Sequence, residues 1–567
     1  MIPNLPADIW LDTKMEVTER KLGLRDRLAK KKKLLDDARA SLQVRVASDP
    51  PSPAFDNLSA LEIQVKLQKN EMTALEALRV YQKKIIDTLD CHAICDVIVD
   101  AEEAAKSIDP KCTSPIRGLP VSIKENIAIA GYDSTIGLVS RALKPQKEDS
   151  PLILALRSAG AVPFVTTTMS PTGLCMDAST DMFGKQRNPH DSKRLAGGSS
   201  SGEAILIAKG ASPLGFGTDS GGSLRIPAAF CGTCSFKPTS SRVSSIGLGS
   251  ASEAEWIVLK PAMGPMAMHT SLLSDGLRAI LNSTMFSLDP RVARIPFRED
   301  VFSSTKPLVI GFYSDLGGDV AVKAVPSVER AVSEAKAVLE AKGHKVVNFN
   351  VPDPSKLTRL ALTGMFIDGG AGFLKASQND PTNERFRQTR SIIGIPSALK
   401  RVGSKIISGT YSSALGQVAY YFTGCQTAAE VFKTMAEVGE YQAEFAKKWA
   451  SAKLDVLLCP VLPFPSPLET TPDPMLSGGV VYVSMYNMLD YPSGVVTVGK
   501  VSESDVAAAQ SRVAEYRKAG DTMNASHAEW QSETKGLPVA VQVVGRPLDE
   551  ETVLRVMTEI QDGCSNK

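Results

Sequence analysis

Apolar positions along the chain follow two periods, and the switches between them lay out the elements. Behind Ser59 and Thr73 apolar residues recur at helical spacing, which predicts helices through Leu67 and Leu89, with a third over 100–107. Short continuous apolar runs bounded by Gly and Pro read instead as buried strands. They cover 161–165, 308–312, 345–349, 454–460, 495–498 and 537–544, and Gly118 opens a further strand-like segment, 118–126, with Lys124 inside it. Helices at 151–159 and 328–342, stopped by Gly160 and Gly343, fall between strands. This alternation predicts α/β layering, with 302–319 expected to join two lobes. Residues 15–47 mix charges with leucines and read as one exposed helix. Its basic centre, 30–33, is expected to be solvated, and attraction to an anionic lipid surface is the second reading. The Pro-rich 48–53 ends that helix. The chain thus divides into an N-terminal helical arm, 1–57, and a main domain, 58–567.

Composition narrows the class. The 567 residues are 43% apolar, enough for a large core, and a formal net charge of +2 points to no nucleic-acid partner. Nine scattered cysteines fit reduced, buried thiols better than a disulfide framework. Cys91 and Cys95 are expected on one face of a helix. The first residues hold no apolar run suited to a signal peptide, and no stretch reaches the roughly 18 apolar residues of a membrane span. The expectation is a cytoplasmic protein without a transmembrane helix.

The chemistry concentrates between Arg194 and Ala229. Gly197-Gly198-Ser199-Ser200-Ser201-Gly202-Glu203 and Gly217-Thr218-Asp219-Ser220-Gly221-Gly222-Ser223 flank a small apolar run, 204–208, that reads as a short buried helix. Serines beside glycines supply a nucleophile, free N–H groups and close approach. A flexible linker is also rich in Ser and Gly, but it does not interleave an apolar helix, an Asp and an Arg-Ile-Pro. Residues 198–202 also satisfy the G-x-S-x-G nucleophile elbow, which makes Ser200 the nucleophile and needs a downstream Asp and His. None of the five histidines stands in a suitable loop. No G-K-[ST] follows the glycines, which argues against a phosphate loop. Cys231 and Cys234 form half a metal pair with no second pair nearby, and read as core thiols.

Lys124 and the two clusters together resemble the amidase signature family, whose triad is Ser–Ser–Lys. The resemblance implies a mixed, twisted central sheet covered by helices on both faces. It implies Ser223 as nucleophile, Ser199 as proton bridge and Lys124 as base, with no metal or organic cofactor. A lysine serves as base only when neutral, and desolvation by Val121, Ile123 and Ile127 lowers its proton affinity. Backbone N–H groups of Ser220, Gly221, Gly222 and Ser223 are the expected oxyanion hole. The family carries an aliphatic residue where Ser220 stands, a change that a backbone donor tolerates. Ser200, Asp219 and Arg225 are expected to brace the site.

From about 58 to 560 the chain is similar to the branch of that family that hydrolyses fatty acid amides, as in Asp181-Met182-Phe183-Gly184, Met263-Gly264-Pro265-Met266-Ala267 and Tyr486-Asn487-Met488-Leu489-Asp490-Tyr491. The substrate expected from this resemblance is a fatty acid amide, either an N-acylethanolamide or a primary amide. Gly173, Ser199, Met365, Phe366, Val480 and Val483 are the expected binding positions. Gly173 replaces a methionine of that branch and Cys175 a serine. Segment 385–425 matches its membrane cap. Within 390–407, Ile392, Ile395, Leu399, Val402 and Ile406 fall on one helical face, and Arg390, Lys400, Arg401 and Lys405 add positive charge. Reversible peripheral contact with intracellular membranes follows as an expectation, and homodimerisation is implied by the resemblance alone. The alternatives are a general amidase for small or aryl amides, a subunit that transamidates glutamyl-tRNA, and a catalytically dead lipid-binding module, against which the complete set of triad matches argues. The near-neutral charge and the cap-like segment argue against the second.

Overall fold

The computed structural model describes residues 23–251, 255–318, 322–378, 380, 384–410, 413–471 and 478–565. Among them eleven strands form one mixed sheet. They are β1 (Ile94–Val97), β2 (Pro120–Lys124), β3 (Val162–Thr167), β4 (Leu214–Asp219), β5 (Cys234–Lys237), β6 (Ala262–Ala267), β7 (Val309–Phe312), β8 (Lys345–Asn348), β9 (Val456–Pro460), β10 (Ser493–Lys500) and β11 (Pro538–Gly545). Their spatial order is β1-β3-β2-β4-β6-β5-β10-β11-β9-β7-β8. β2 runs parallel to β3 and β4, and β7 parallel to β8 and β9, while the other pairs are antiparallel. Helices flank this sheet, as the alternating pattern requires.

Local chemistry fixes several boundaries. Ser59 and Thr73 each close a capping box. Their hydroxyls accept from the N–H of Glu62 and Glu76 at 3.2 Å, and those carboxylates accept from the cap N–H at 2.7 Å. The helices Ala60–Gln68 and Ala74–Ile86 follow. Central strands such as β9 and β11 are buried along their whole length, which explains their continuous apolar runs.

Three expectations are corrected. The 302–319 segment does not divide the chain into lobes, because β7 bonds directly to β9 in the common sheet. Cys91 ends a 3-10 turn, Leu89–Cys91, and Cys95 lies in β1, so they share no helix face. Turn followed by strand happens to reproduce a four-residue spacing. The helix Leu24–Ser48 is not simply exposed, since Arg27, Lys31, Leu35, Leu42 and Val46 form a buried stripe. Lys31 reaches Asp96 and Asp133, each at 2.9 Å. Burial disfavours its ammonium, but the two carboxylates outweigh burial and raise its proton affinity.

The three adjacent parallel strands β3, β2 and β4 end together. Lys124, the last residue of β2, is the register partner of Thr167, the last of β3. Functional loops in α/β sheets gather at such carboxyl ends.

Candidate active site

Lys124 stands at the carboxyl end of β2 with no exposure to solvent. Its Nζ lies 2.7 Å from Ser199 Oγ and 2.8 Å from Thr218 Oγ1, with the Thr218 carbonyl at 3.5 Å. An amine has two hydrogens and one lone pair, so it can donate to Thr218 while accepting from the Ser199 hydroxyl. Desolvation lowers the Lys124 pKa to about 7, against the pull of Asp219, Glu125 and Glu203. The shift is toward the free base, the form that can accept a proton.

The two serine clusters are tied to each other. The Ser200 N–H donates to the Ser223 carbonyl at 3.1 Å, and Ser200 Oγ donates to the Thr218 carbonyl at 3.2 Å. Ser200 is thereby committed to bracing. From its loop the helix Ser201–Ala208 starts, small and apolar, and buried through Ile207. Ser223 closes the second cluster just before the helix Arg225–Cys231 and is partly exposed, whereas Ser199 is buried. Among the described residues the Ser223 hydroxyl has no hydrogen-bond partner, so of the three expected triad residues it is the one left open toward the cleft.

Asp219 holds this loop in shape. Its carboxylate accepts from the Gly222 N–H at 2.8 Å and the Leu224 N–H at 3.1 Å. Arg225 clamps it through Nε at 2.9 Å and Nη2 at 3.0 Å. Burial alone would push the Asp219 carboxyl up, but Arg225 outweighs it and holds the group well below the usual carboxylate range. Arg225 also donates to the Val483 carbonyl, Gln542 Oε1 and Asn487 Oδ1 at 2.6–2.8 Å, which joins the loop to β11 and the helix Val481–Met488. Gly222 has φ +119°, and a Cβ there would press on Val483 Cγ2. Because the Gly222 N–H is already given to Asp219, the N–H groups of Ser220, Gly221 and Ser223 are the donors without an acceptor among the described residues.

A cleft of about 470 Å³, mouth included, opens over Ser223. Gly198, Ser220 and Gly221 form its polar floor, and Leu174, Met176, Ile226, Leu259, Met365 and Val480 its apolar wall, beside Gly173 and Cys175. Of the expected binding positions, Gly173, Met365 and Val480 line this cleft. Phe366 and Val483 do not. Phe366 is buried edge-on against Phe422, with centroids 4.8 Å apart, and Val483 packs behind Gly222. Sequence reasoning missed Thr218 and Asn487, because their roles depend on contacts from distant strands and helices. Asn487 Nδ2 donates to the Asp219 carbonyl and carboxylate, each at 3.0 Å. Cys231 and Cys234 donate separately, to the carbonyls of Ala196 and Met268.

The 390–407 segment is two helices rather than one. Glu384–Ile393 ends at Gly394, and Ser397–Thr410 begins after Pro396. The apolar positions nevertheless face outward, with Leu399, Val402 and Ile406 57–61% exposed and Ile392 and Ile395 exposed as well. Lys405 is exposed and Arg401 half-buried, while Arg390 Nη1 donates to the Ser377 carbonyl at 2.9 Å and Lys400 is half-buried beside Phe422. The first helix touches the cleft wall, with Cys175 Sγ 3.9 Å from Thr389 Oγ1. Among the described residues no helix is long and apolar enough to cross a membrane.

The amidase family model matches residues 76–554. The chain is 36% identical to fatty-acid amide hydrolase 1 of Sus scrofa over 79% of its own length and 77% of that protein. It is 33% identical to fatty acid amide hydrolase 1 of Caenorhabditis elegans, over 89% and 88%. A solved fatty acid amide hydrolase superposes with a TM-score of 0.73 at 20% identity, covering 99% of this chain and 96% of that one, a likeness of fold. This chain belongs to the amidase signature family, enzymes that hydrolyse the carbon–nitrogen bond of amides.

Proposed function

We propose that this chain is a serine amidase of fatty acid amides, releasing a free fatty acid and an amine through an acyl-enzyme. The observation that carries the reading is an apolar cleft beside Ser223, whose wall touches the helix Glu384–Ile393, next in the chain to the exposed aliphatic face of Ser397–Thr410. A long acyl chain needs apolar walls, and a substrate dissolved in lipid favours an enzyme that meets the bilayer surface. The names of the Sus scrofa and Caenorhabditis elegans relatives support the same substrate class.

In this scheme neutral Lys124 takes the proton of Ser199, which takes that of Ser223. Ser223 Oγ attacks the amide carbonyl, and the N–H groups of Ser220, Gly221 and Ser223 stabilise the oxyanion. The amine leaves with the proton returned through Ser199, and water activated by the same relay cleaves the ester. Catalysis fades as pH falls through about 7, where Lys124 becomes an ammonium that cannot accept. Leu399, Val402 and Ile406 enter the headgroup boundary of one leaflet, with Lys405 toward anionic headgroups, so attachment is peripheral and reversible. Homodimerisation belongs to the same proposal and is carried by the resemblance.

The test is hydrolysis of a long-chain and a two-carbon acyl amide side by side, with Ser223→Ala and Lys124→Ala controls. The expected result is preference for the long chain, abolished by Ser223→Ala and strongly reduced by Lys124→Ala. Equal or better cleavage of the short amide overturns the lipid reading and leaves a general amidase.

A further inference from the structure

Glu203 ends the first serine cluster, is fully buried, and takes no role in the proton relay. It points under the sheet floor where β3, β2 and β4 lie side by side. Thr167 Oγ1, on the register partner of Lys124, donates to Glu203 Oε1 at 2.7 Å. Oε2 lies 2.5 Å from Oγ of Ser122, two residues before Lys124 on β2. A Cβ at Gly215 of β4 would collide with this carboxyl group, so glycine makes its seat.

Counting hydrogens identifies its charge state. Ser122 Oγ is also 2.8 Å from Ser212 Oγ, and Ser212 Oγ is 3.0 Å from the Leu214 carbonyl. Three contacts in a row need three hydrogens, and the two serines bring two. A carboxylic acid brings the third, giving a head-to-tail chain from Glu203 O–H to Ser122 O–H to Ser212 O–H to the Leu214 carbonyl. A carboxylate leaves either Ser122 Oγ and Ser212 Oγ, at 2.8 Å, or Ser212 Oγ and the Leu214 carbonyl oxygen, at 3.0 Å, facing each other with no hydrogen between them. Asp219 makes the contrast, because backbone N–H groups and the Arg225 fork are built around an anion. Glu203 has only hydroxyl partners.

We propose that Glu203 is stored as a neutral carboxylic acid, and that its neutrality keeps Lys124 in the amine form, making Glu203 a positioning residue for the catalytic base. The inference rests on Lys124 being that base. The charged groups facing Lys124 are Asp219 from β4, Glu125 beside it in the chain, and Glu203 from below. Arg225 neutralises Asp219. Glu125 spends its carboxylate on the Thr135 N–H and hydroxyl and the Gly137 N–H. Among the described residues Lys124 is the cation that acts on Glu203, so an ionised Glu203 would favour the ammonium. Burial raises the Glu203 carboxyl to about 7, against its hydrogen bonds with Ser122 and Thr167 and the pull of Lys124.

The experiment is infrared difference spectroscopy of the wild-type chain against Glu203→Gln near pH 7, where ordinary carboxyl groups are ionised. A protonated-carboxyl carbonyl band present in the wild type and lost in Glu203→Gln is the expected result. Absence of that band overturns the proposal. Kinetics give the second readout. Glu203→Leu strands Ser122 and Thr167 and lowers kcat/KM by about tenfold or more. Glu203→Gln rescues that loss, because its amide donates to Ser122 and accepts from Thr167, and its acid limb stays within about half a pH unit of wild type. A glutamine variant as impaired as the leucine one, or an acid limb moved a full unit lower by removal of an anion, also overturns it. Should Glu203→Leu not fold, the band and the glutamine profile carry the test. Intact hydrolysis by Lys124→Ala would sink the lysine-base reading instead, and the infrared band would still report the charge of Glu203.

Discussion

The floor beneath Ser223 and the helices between 384 and 421 depart from ordinary burial in opposite directions. In the floor, Lys124, Glu203, Asp219 and Arg225 are withdrawn from water altogether. On the outer helices, Leu399, Val402 and Ile406 are given to water. Both arrangements cost free energy. The floor recovers its cost inside the chain, since each charged group there has hydrogen-bonded partners from neighbouring strands and loops. The outer helices bury Phe386, Ile393 and Val418 on their inner side and leave Leu399, Val402 and Ile406 on the other. In the proposed reading a lipid surface compensates that exposed face, which makes the first region the place of chemistry and the second the place of docking.

The comparison breaks most visibly at Ser223. Ser223→Ala is expected to lower kcat/KM at least about a thousandfold for long and short acyl amides alike. The unfolding midpoint should not move, because the hydroxyl has no hydrogen-bond partner among the described residues. Residual activity within tenfold of wild type would displace Ser223 as nucleophile. Arg225→Met comes next. It leaves the Asp219 carboxylate buried without its cation, a loss of about 3–5 kcal/mol in stability. Urea unfolding checks that, and unchanged stability would mean that backbone N–H groups and Asn487 alone suffice to hold Asp219.

Legibility in the sequence follows the same division. The serine clusters are readable because their chemistry is local: glycines and hydroxyls adjacent in the chain are adjacent in space. Buried strands such as β9 and β11 are readable from continuous apolar runs. β4 is not, since Leu214–Asp219 carries two glycines and a threonine where close packing against Glu203, Ser200 and Leu224 leaves no room for side chains. Lys31 is misread for a related reason. Its acids, Asp96 and Asp133, lie far along the chain, so a buried triad looks locally like a stretch of solvated basic residues. Pro396 marks the break in the outer helices plainly, yet a single period over 390–407 fits almost as well, because the turn returns the chain to the same exposed face.

A gentler disturbance separates the two regions. Leu399→Asp with Val402→Asp replaces two exposed aliphatic side chains on the helix Ser397–Thr410, each worth about 1.5–3 kcal/mol when buried. Cosedimentation with anionic phospholipid vesicles should weaken by at least about tenfold. Turnover of a water-soluble short amide should hold at the wild-type rate, since neither side chain lines the cleft. Equal losses in both assays would mean that the outer helices support the site itself and are no separate docking surface.

The smallest expected effect lies on the seam. Met365 ends the helix Pro354–Met365, and its terminal methyl group sits against Gly221 in the cleft. The next residue, Phe366, packs on Phe422 just beyond the outer helices. Met365→Ala removes apolar wall without touching the triad, the clamp on Asp219 or the exposed aliphatic face. A long acyl chain loses contact there and a two-carbon acyl group has little contact to lose, so the ratio of their kcat/KM values should fall by about fivefold, near 1 kcal/mol. Vesicle binding should not change. If short and long amides lose equally, the methionine supports the Ser220–Ser223 loop and reads no chain length. If vesicle binding falls as well, Phe366 has shifted against Phe422, and the floor and the outer helices move as one body.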